Sequence, residues 1–299
     1  MKGSYLNDGF FSRLETLSLN LKTSLSGYFG GKHLVNTYGQ TVEFADFREY
    51  QLGDDIRRID WNLFSRFEKY FLKLFTDERQ MQIQVFLDCS ASMGNAATGK
   101  GAYALATAAA LGFLAVHNMD KLSFNLMKGN KSENPFGNII GKQAFFRAIG
   151  QLQDVTFEDE VDINACVTGC NDSGTNNGLS VIVSDFLTDS NWKKAVDYLC
   201  YKRRQVMLVQ VLSPDEIDPA YDGRVNLIDS ESVDVSDSKN MRIRITRSMQ
   251  AAYEQALKDY RAGIAEYCKK RSVEYITVQT DKPIERELFG ELLKAGIME

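Results

Sequence analysis

The chain has 299 residues, of which 44% are hydrophobic and 25% are charged, and this composition excludes intrinsic disorder, collagen and fibrous structure. Its net charge is −5, from 35 basic and 40 acidic residues, so no strongly basic surface favours binding to nucleic acid. The charge is uneven, because residues 1–80 hold 11 basic and 11 acidic residues and residues 81–299 carry the whole excess.

The first 80 residues are predicted to form an extension of one helix and a few strands. Residues 8–25 have apolar side chains at helical spacing after Asp8, a residue type that often caps a helix. Several glycines follow, and residues 41–80 then alternate short apolar runs around a Gly-Asp-Asp turn signal at 53–55. We therefore expect a domain boundary near residue 80.

Strands and helices alternate through residues 81–299. The predicted strands are 83–88, 121–127, 179–187, 205–212 and 273–280, with a hairpin at 225–245. The predicted helices are 100–118, 142–152, 162–170, 190–202, 248–271 and 283–296. This alternation predicts an α/β fold with a doubly wound, mostly parallel sheet.

Cysteine usage and hydropathy indicate a cytoplasmic protein. The five cysteines are scattered and odd in number, unlike a secreted disulfide framework. The N-terminus lacks the apolar run of a signal peptide. The most apolar stretch, 102–116, is shorter than the ~20 residues of a membrane span, so we expect a buried helix there and no membrane span.

Two of the predicted strands end in aspartates, Asp88 and Asp185. Because ligands bind beyond the carboxyl ends of strands in such sheets, both carboxylates are candidate ligands. Asp88 opens the sequence Asp-Cys-Ser-Ala-Ser, in which Ser90 and Ser92 follow at alternate positions and point the same way as Asp88 in an extended loop. One carboxylate and two hydroxyls suit a hard cation such as Mg²⁺.

The Asp-x-Ser-x-Ser pattern resembles the metal-ion-dependent adhesion site of von Willebrand factor A (vWA) domains. This resemblance implies a Mg²⁺ (or Mn²⁺) site formed by Asp88, Ser90, Ser92 and Asp185, to which a partner adds a carboxylate. The alternative is a serine-rich turn in which Ser92 or Asn95 caps the following helix.

Longer stretches resemble domain-of-unknown-function family 58, a family of vWA-like proteins associated with MoxR-type AAA+ ATPases. They are residues 43–50, 53–61, 184–186 and 280–283. The resemblance runs from about residue 10 to 296, and it implies a vWA/Rossmann-like sheet and an ATPase of that class as partner.

One departure from the vWA pattern concerns the loop before the third helix, which in vWA sites supplies a threonine ligand. The aligned position here holds Val161. Thr156 and Asp162 are the less certain substitutes, with Glu160 nearby. A carboxylate at this point would bind a cation more tightly but leave it less attractive to an outside carboxylate.

The segment 43–61 combines charged and aromatic side chains. In one interpretation its charges pair with one another and hold the N-terminal extension together. In the other it docks a partner, and the candidate partner-binding residues are Asp54, Asp55, Arg57, Arg58 and Trp61.

These observations favour a non-enzymatic binding protein, and the family resemblance implies that it acts with a MoxR-type AAA+ ATPase in a chaperone-like or maturation complex. One alternative is a metal-dependent hydrolase that uses the same pocket, with Asp162 or Glu160 as general base. The other is a metal-free scaffold in which the pocket is vestigial.

Overall fold

The computed structural model describes residues 6–20, 42–52, 54–77, 81–95, 98–170, 178–188, 190–219, 223–227 and 241–294. The chain divides into two compact units, one of residues 1–30 and 81–299 and one of residues 31–80. The second unit ends at the predicted boundary near residue 80. The sequence predicts that the N-terminal helix is part of the extension, whereas in the structure it belongs to the larger unit.

The described helices and strands follow the predicted order closely. The strands are β1 (Val42–Glu49), β2 (Phe71–Asp77), β3 (Gln82–Asp88), β4 (Lys121–Lys128), β5 (Lys131–Glu133), β6 (Gly178–Ser184), β7 (Gln205–Leu212), β8 (Gly223–Leu227), β9 (Met241–Ile245) and β10 (Glu274–Gln279). The helices are α1 (Asp8–Asn20), α2 (Trp61–Phe67), α3 (Lys100–His117), α4 (Lys142–Leu152), α5 (Ile163–Thr168), α6 (Trp192–Tyr201), α7 (Pro214–Ile217), α8 (Arg247–Lys269) and α9 (Ile284–Lys294). The predicted helix residues 21–25 and the middle of the predicted hairpin, 228–240, lie outside the described residues.

Six of the described strands form the central sheet of the larger unit, in the order β10-β7-β6-β3-β4-β5. Every pairing is parallel except that of the short edge strand β5 with β4. Strands β3 and β6 are buried along their whole length, which explains their near-continuous apolar sequences. Counted along the chain the order is 3-2-1-4-5-6, so the predicted doubly wound, mostly parallel sheet is confirmed.

Helices cover both faces of this sheet. One apolar cluster joins it to α1, α3, α4 and α9, and a second joins its other face to α5, α6 and α8. Helix α3 lies almost wholly within the first cluster, as its alanine-rich sequence predicts. No helix among the described residues has the length and hydropathy to cross a membrane.

Helix α1 packs against the sheet unit through its apolar side. Phe10, Phe11 and Leu14 are buried in the first cluster, and the ring of Phe11 lies 5.8 Å from that of Phe113 on α3. Arg13 adds an ion pair to Glu285 on α9 at 2.6 Å. The helical spacing of these residues is therefore explained by burial against α3.

The smaller unit is built on the antiparallel pair β1–β2, which carries a bulge between Phe44 and Asp46. A short 3₁₀ helix, Ile56–Arg58, and helix α2 connect the two strands. The sequence predicts strands and turns here, and helix α2 is an element that it does not predict. Asp60 caps it by accepting hydrogen bonds from the backbone N–H groups of Asn62 and Leu63.

Candidate functional site

Asp88 and Asp185 lie on either side of the point where the strand order of the sheet reverses. Asp88 ends β3, and Asp185 directly follows β6, the strand paired with β3 on the other side from β4. The chain leaves these two neighbouring strands in opposite directions, so a crevice opens between their following loops. The fold thus brings together the two strand-end aspartates that the sequence predicts.

Asp88 is held by hydrogen bonds to both of its carboxylate oxygens. Its Oδ1 accepts from the backbone N–H of Ser90 at 2.9 Å, and its Oδ2 accepts from the hydroxyl of Ser184 at 2.6 Å. The Ser184 hydroxyl in turn accepts from the N–H of Phe186 at 3.0 Å, so it connects the ends of two strands. These bonds fix the orientation of the carboxylate while each oxygen keeps a further lone pair.

Ser90 and Ser92 present their hydroxyls side by side. The two hydroxyls form a hydrogen bond with 3.0 Å between their Oγ atoms, and Ser90 is 4% exposed. Adjacent oxygen ligands around an octahedral Mg²⁺ are about 3 Å apart, given metal–oxygen distances near 2.1 Å. The two serines therefore have the spacing of neighbouring ligands, and with Asp88 they fit a hard divalent cation.

Asp185 has a different set of partners. Its Oδ1 accepts from the N–H of Leu187 at 2.9 Å, and its Oδ2 accepts from the ammonium of Lys100 at 2.7 Å. Lys100 also donates to Oε1 of Glu216 at 2.6 Å, and both lysine and aspartate side chains are only 3% exposed. Asp185 is thus a partner of Lys100, and the fit of the donor set to a cation rests on Asp88, Ser90 and Ser92.

Burial and charge shift the pKa values of this cluster. Burial, together with the nearby Asp185, raises the pKa of Asp88 above its usual range, although the hydrogen bonds from Ser184 and Ser90 oppose that shift. Burial alone would lower the pKa of Lys100, but Asp185 and Glu216 outweigh it and hold the ammonium charged. Burial and the charge of Asp88 raise the pKa of the Cys89 thiol to about 12, which makes it a poor ligand.

The loop before α5 touches the Asp-x-Ser-x-Ser loop through backbone groups. Glu158 N–H donates to the carbonyl of Cys89, and Ala91 N–H donates to the carbonyl of Asp159, each at 2.9 Å. Gly94 is required here, because a Cβ at that position would lie 2.5 Å from Cβ of Phe157. The loop therefore supports the site by main-chain contact.

The substitutes for the absent threonine have other surroundings. Val161 is buried, Thr156 and Glu160 are exposed, and Asp162 caps α5 by accepting from Ala165 N–H at 3.0 Å. In the described part of the chain, no three His, Cys, Asp or Glu side chains are grouped closely enough to hold a metal. A hydrolase with Asp162 or Glu160 as its base gains no support from these positions.

Several residues of the site have no clear local signal in the sequence. Lys100 contacts Asp185 from 85 positions away in the chain, and Ser184 contacts Asp88 from 96 positions away. Glu216 contacts Lys100 from 116 positions away, and Gln210 donates to the carbonyl of Asp185 at 2.8 Å. One sequence feature indicates this cluster, namely that Lys100 begins the most apolar predicted helix. A charged side chain there needs a buried partner.

The candidate partner-binding residues of the smaller unit divide into two groups. Asp54 accepts from Arg48 and from Gln51 N–H, and Asp55 caps the 3₁₀ helix by accepting from Arg57 N–H. Both aspartates therefore serve local structure. Trp61 and Arg57 are exposed, and the side chain of Arg58 lies outside the described residues.

Aromatic rings form a cluster on the surface of this unit. Phe64 stacks on Tyr70 at 4.6 Å between ring centroids, and Trp61 meets both rings edge-on at 6.1 and 6.5 Å. Trp61 is 61% exposed, and no described residue of α2 is buried. We call Trp61, Phe64 and Tyr70 the aromatic cluster.

Comparisons with known proteins connect this chain to one family. The model of a family described as "Protein of unknown function DUF58" matches residues 46–263. An uncharacterized protein of Mycobacterium bovis and one of Mycobacterium tuberculosis are each 26% identical to this chain over 287 residues, which cover 94% of this chain and 88% of each relative.

Two solved structures show weaker likeness. The conserved hypothetical protein BatB from Bacteroides thetaiotaomicron is 13% identical with a TM-score of 0.42, over 72% of this chain and 98% of its own. A von Willebrand factor type A structure from Catenulispora acidiphila is 7% identical with a TM-score of 0.32, over 48% of this chain and 35% of its own.

Proposed function

We propose that this chain, which belongs to the DUF58 family, is a non-enzymatic vWA-type binding protein that engages a carboxylate of a protein partner at Asp88, Ser90 and Ser92. The observation that carries the proposal is the placement of one oriented, buried aspartate beside two hydroxyls 3.0 Å apart. This donor set lies at the switch point of the sheet, where doubly wound folds bind ligands.

The donor set fits Mg²⁺ or Mn²⁺ as cofactor. Asp88 would supply the anionic ligand, and Ser90 and Ser92 would supply neutral ones. When bound, the divalent cation supplies an electrophilic position for an oxygen ligand from outside. The hydrogen bonds from Ser184 and from Ser90 N–H hold the Asp88 carboxylate ready for that role.

The membership of the DUF58 family makes a MoxR-type AAA+ ATPase the partner that we propose. The aromatic cluster supports a second contact surface on the smaller unit, because exposed tryptophan and tyrosine are the residue types that dominate binding energy at protein interfaces. Arg57 and Trp61 are the predicted partner-binding residues that remain available for this role. Asp54 and Asp55 are engaged in the turn.

The first test is a calorimetric titration of the purified protein with Mn²⁺. We expect Asp88→Ala to abolish binding, because it removes the charged ligand. Asp54→Ala is the matched control, an aspartate of the other unit whose loss leaves Mn²⁺ affinity unchanged. Mn²⁺ binding that survives in Asp88→Ala would show that the cation site is elsewhere.

The second test concerns the partner. The wild-type protein and Asp88→Ala serve as baits for a purified MoxR-type AAA+ ATPase from the same cells, in Mg²⁺ and in EDTA. Capture by the wild type in Mg²⁺ alone supports a metal-bridged contact. Capture that is independent of metal and of Asp88 would move the interface to another surface, with the aromatic cluster as the first to examine.

One observation favours a second candidate, the metal-free scaffold. The ammonium of Lys100 already neutralises Asp185 within the same edge of the sheet. In that case the protein would bind partners without any cation, and the titration with Mn²⁺ would show no heat of binding for the wild type.

A further inference from the structure

We propose that Lys100 is a positioning residue that withholds Asp185 from the cation and thereby keeps cation binding weak and exchangeable. The inference rests on the proposed function, since it concerns the same site. Lys100 lies outside the Asp-x-Ser-x-Ser pattern, and its ion pair with Asp185 gives the two strand-end aspartates unequal surroundings.

The geometry that carries this inference is a buried ion cluster of one ammonium and two carboxylates. Lys100 Nζ lies 2.7 Å from Asp185 Oδ2 and 2.6 Å from Glu216 Oε1. Glu216 is itself fixed, because its Oε2 accepts from both the N–H and the hydroxyl of Ser213 in the capping box of α7. Lys100 is thereby clamped between the loops that follow β6 and β7.

The remaining bonds of Asp185 engage its Oδ1 and its backbone carbonyl, so among the described residues Oδ2 is the oxygen that Lys100 alone occupies. Its Oδ1 accepts from Leu187 N–H, and its carbonyl accepts from Gln210, which is itself held by the hydroxyl of Tyr275. Phe186 sits at a positive φ of 56° and its carbonyl accepts from Tyr260 at 2.5 Å. A bulky residue in that conformation persists only where surrounding contacts determine it.

The charges of the cluster indicate what Lys100 does to cation affinity. Counted as formal charges, Asp88, Asp185 and Glu216 contribute −3 and Lys100 contributes +1, a net charge of −2. Removing the ammonium would add one unit of negative charge and release Asp185 to serve the cation. Because attraction between charges is strong where water is excluded, affinity for a divalent cation should then rise.

A test uses the whole 299-residue chain with Lys100→Met, which keeps most of the length of the side chain and removes its charge. We expect the Mn²⁺ affinity of this variant to increase by about tenfold, the lower end of what residues behind metal ligands contribute. Mn²⁺ should also raise its melting temperature more than that of the wild type, since the cation would replace the missing positive charge. Lys142→Met, which removes an exposed lysine paired with Glu15, is the matched control and should leave affinity unchanged.

A second variant is the control for loss of folding. It is needed because Lys100→Met leaves buried carboxylates without their counter-ion and can destabilise the protein. Lys100→Met combined with Asp185→Asn removes both charges and keeps the net charge of the cluster at −2. We expect its Mn²⁺ affinity to return to the wild-type value. A purely structural role for Lys100 would instead weaken Mn²⁺ binding in both variants.

The outcomes separate this inference from the function on which it rests. Tighter binding in Lys100→Met and wild-type binding in the double variant support it. Equal or weaker binding in a folded Lys100→Met overturns it, while Mn²⁺ binding by the wild type that depends on Asp88 would still support the proposed function. Absence of Mn²⁺ binding in the wild type and in both variants overturns both.

Discussion

The two units of this protein use their polar and apolar side chains in opposite ways. At the carboxyl edge of the large sheet, charged groups are buried and contact one another, as Lys100 and Asp185 do. In the smaller unit the aspartates act locally as turn and cap residues, and the large aromatic side chain of Trp61 is exposed. Buried charge is costly without a partner, whereas an exposed aromatic ring loses the free energy that burial would provide.

The comparison indicates where each unit would meet other molecules. In the large unit the polar cluster lies at a place where the fold itself creates a crevice, so the polar groups there are candidates for ligand binding. In the smaller unit Asp54 and Asp55 are engaged in its own structure, and the aromatic cluster and Arg57 remain for recognition. Three further predictions test this division, from the largest expected effect on stability to the smallest.

The first prediction concerns α1, which the structure places with the large unit. Leu14→Ala should lower the free energy of unfolding by about 3 kcal/mol, because it leaves a cavity in the fully buried first cluster. Urea unfolding followed by circular dichroism measures the change. Thr16→Ala, at an exposed position of the same helix, is the control and should change stability by less than about 0.5 kcal/mol.

A loss as small in Leu14→Ala as in Thr16→Ala would contradict the assignment of α1 to the sheet unit. It would return that helix to the N-terminal extension, as the sequence alone had suggested.

The second prediction compares two serines that differ in burial. Ser184→Ala should cost about 2 kcal/mol of unfolding free energy, because it deprives buried Asp88 of a hydroxyl donor and Phe186 N–H of its acceptor. Ser65→Ala removes an exposed hydroxyl that donates to Asn62 on α2, and it should cost less than about 0.5 kcal/mol. Thermal unfolding of the two variants measures the difference.

Equal free energies of unfolding in the two serine variants would show that the hydrogen bonds of Ser184 to Asp88 and Phe186 do not stabilise the fold. A titration of Ser184→Ala with Mn²⁺ tests whether Ser184 orients Asp88. We expect weaker binding of the cation, because the Asp88 carboxylate has lost the hydroxyl that holds it.

The third prediction has the smallest effect on stability and a large one on binding. Trp61→Ala should change the free energy of unfolding by less than about 0.5 kcal/mol, because the side chain is exposed. Capture of the AAA+ ATPase should nevertheless fall. Tyr201→Ala, at an aromatic residue of α6 that is 81% exposed, is the control that should retain capture.

Loss of stability in Trp61→Ala would show instead that the aromatic cluster supports the smaller unit. Full capture by a stable Trp61→Ala would remove this surface from the proposed interface.

Much of the large unit was predictable because its signals are local. The apolar runs of β3, β6 and β7 are bounded by polar residues, and the helices between them repeat apolar residues at helical spacing. Helix α2 was missed because Asp60 and Trp61 begin it inside a segment rich in turn residues, and a seven-residue helix has little periodicity to detect. The pairing of Ser90 with Ser92 was predictable, since the two residues are neighbours in one loop.

What the sequence by itself determined is therefore the alternation of strands and helices and the identity of the residues in the Asp-x-Ser-x-Ser loop. Only the tertiary structure decided that Asp185 pairs with Lys100, that Ser184 donates to Asp88, and that α1 packs on the sheet. The physical reason is that backbone propensity and hydrophobic period act between near neighbours in the chain. Contacts between residues 85 or more positions apart depend on strand order and helix packing, which those local patterns do not encode.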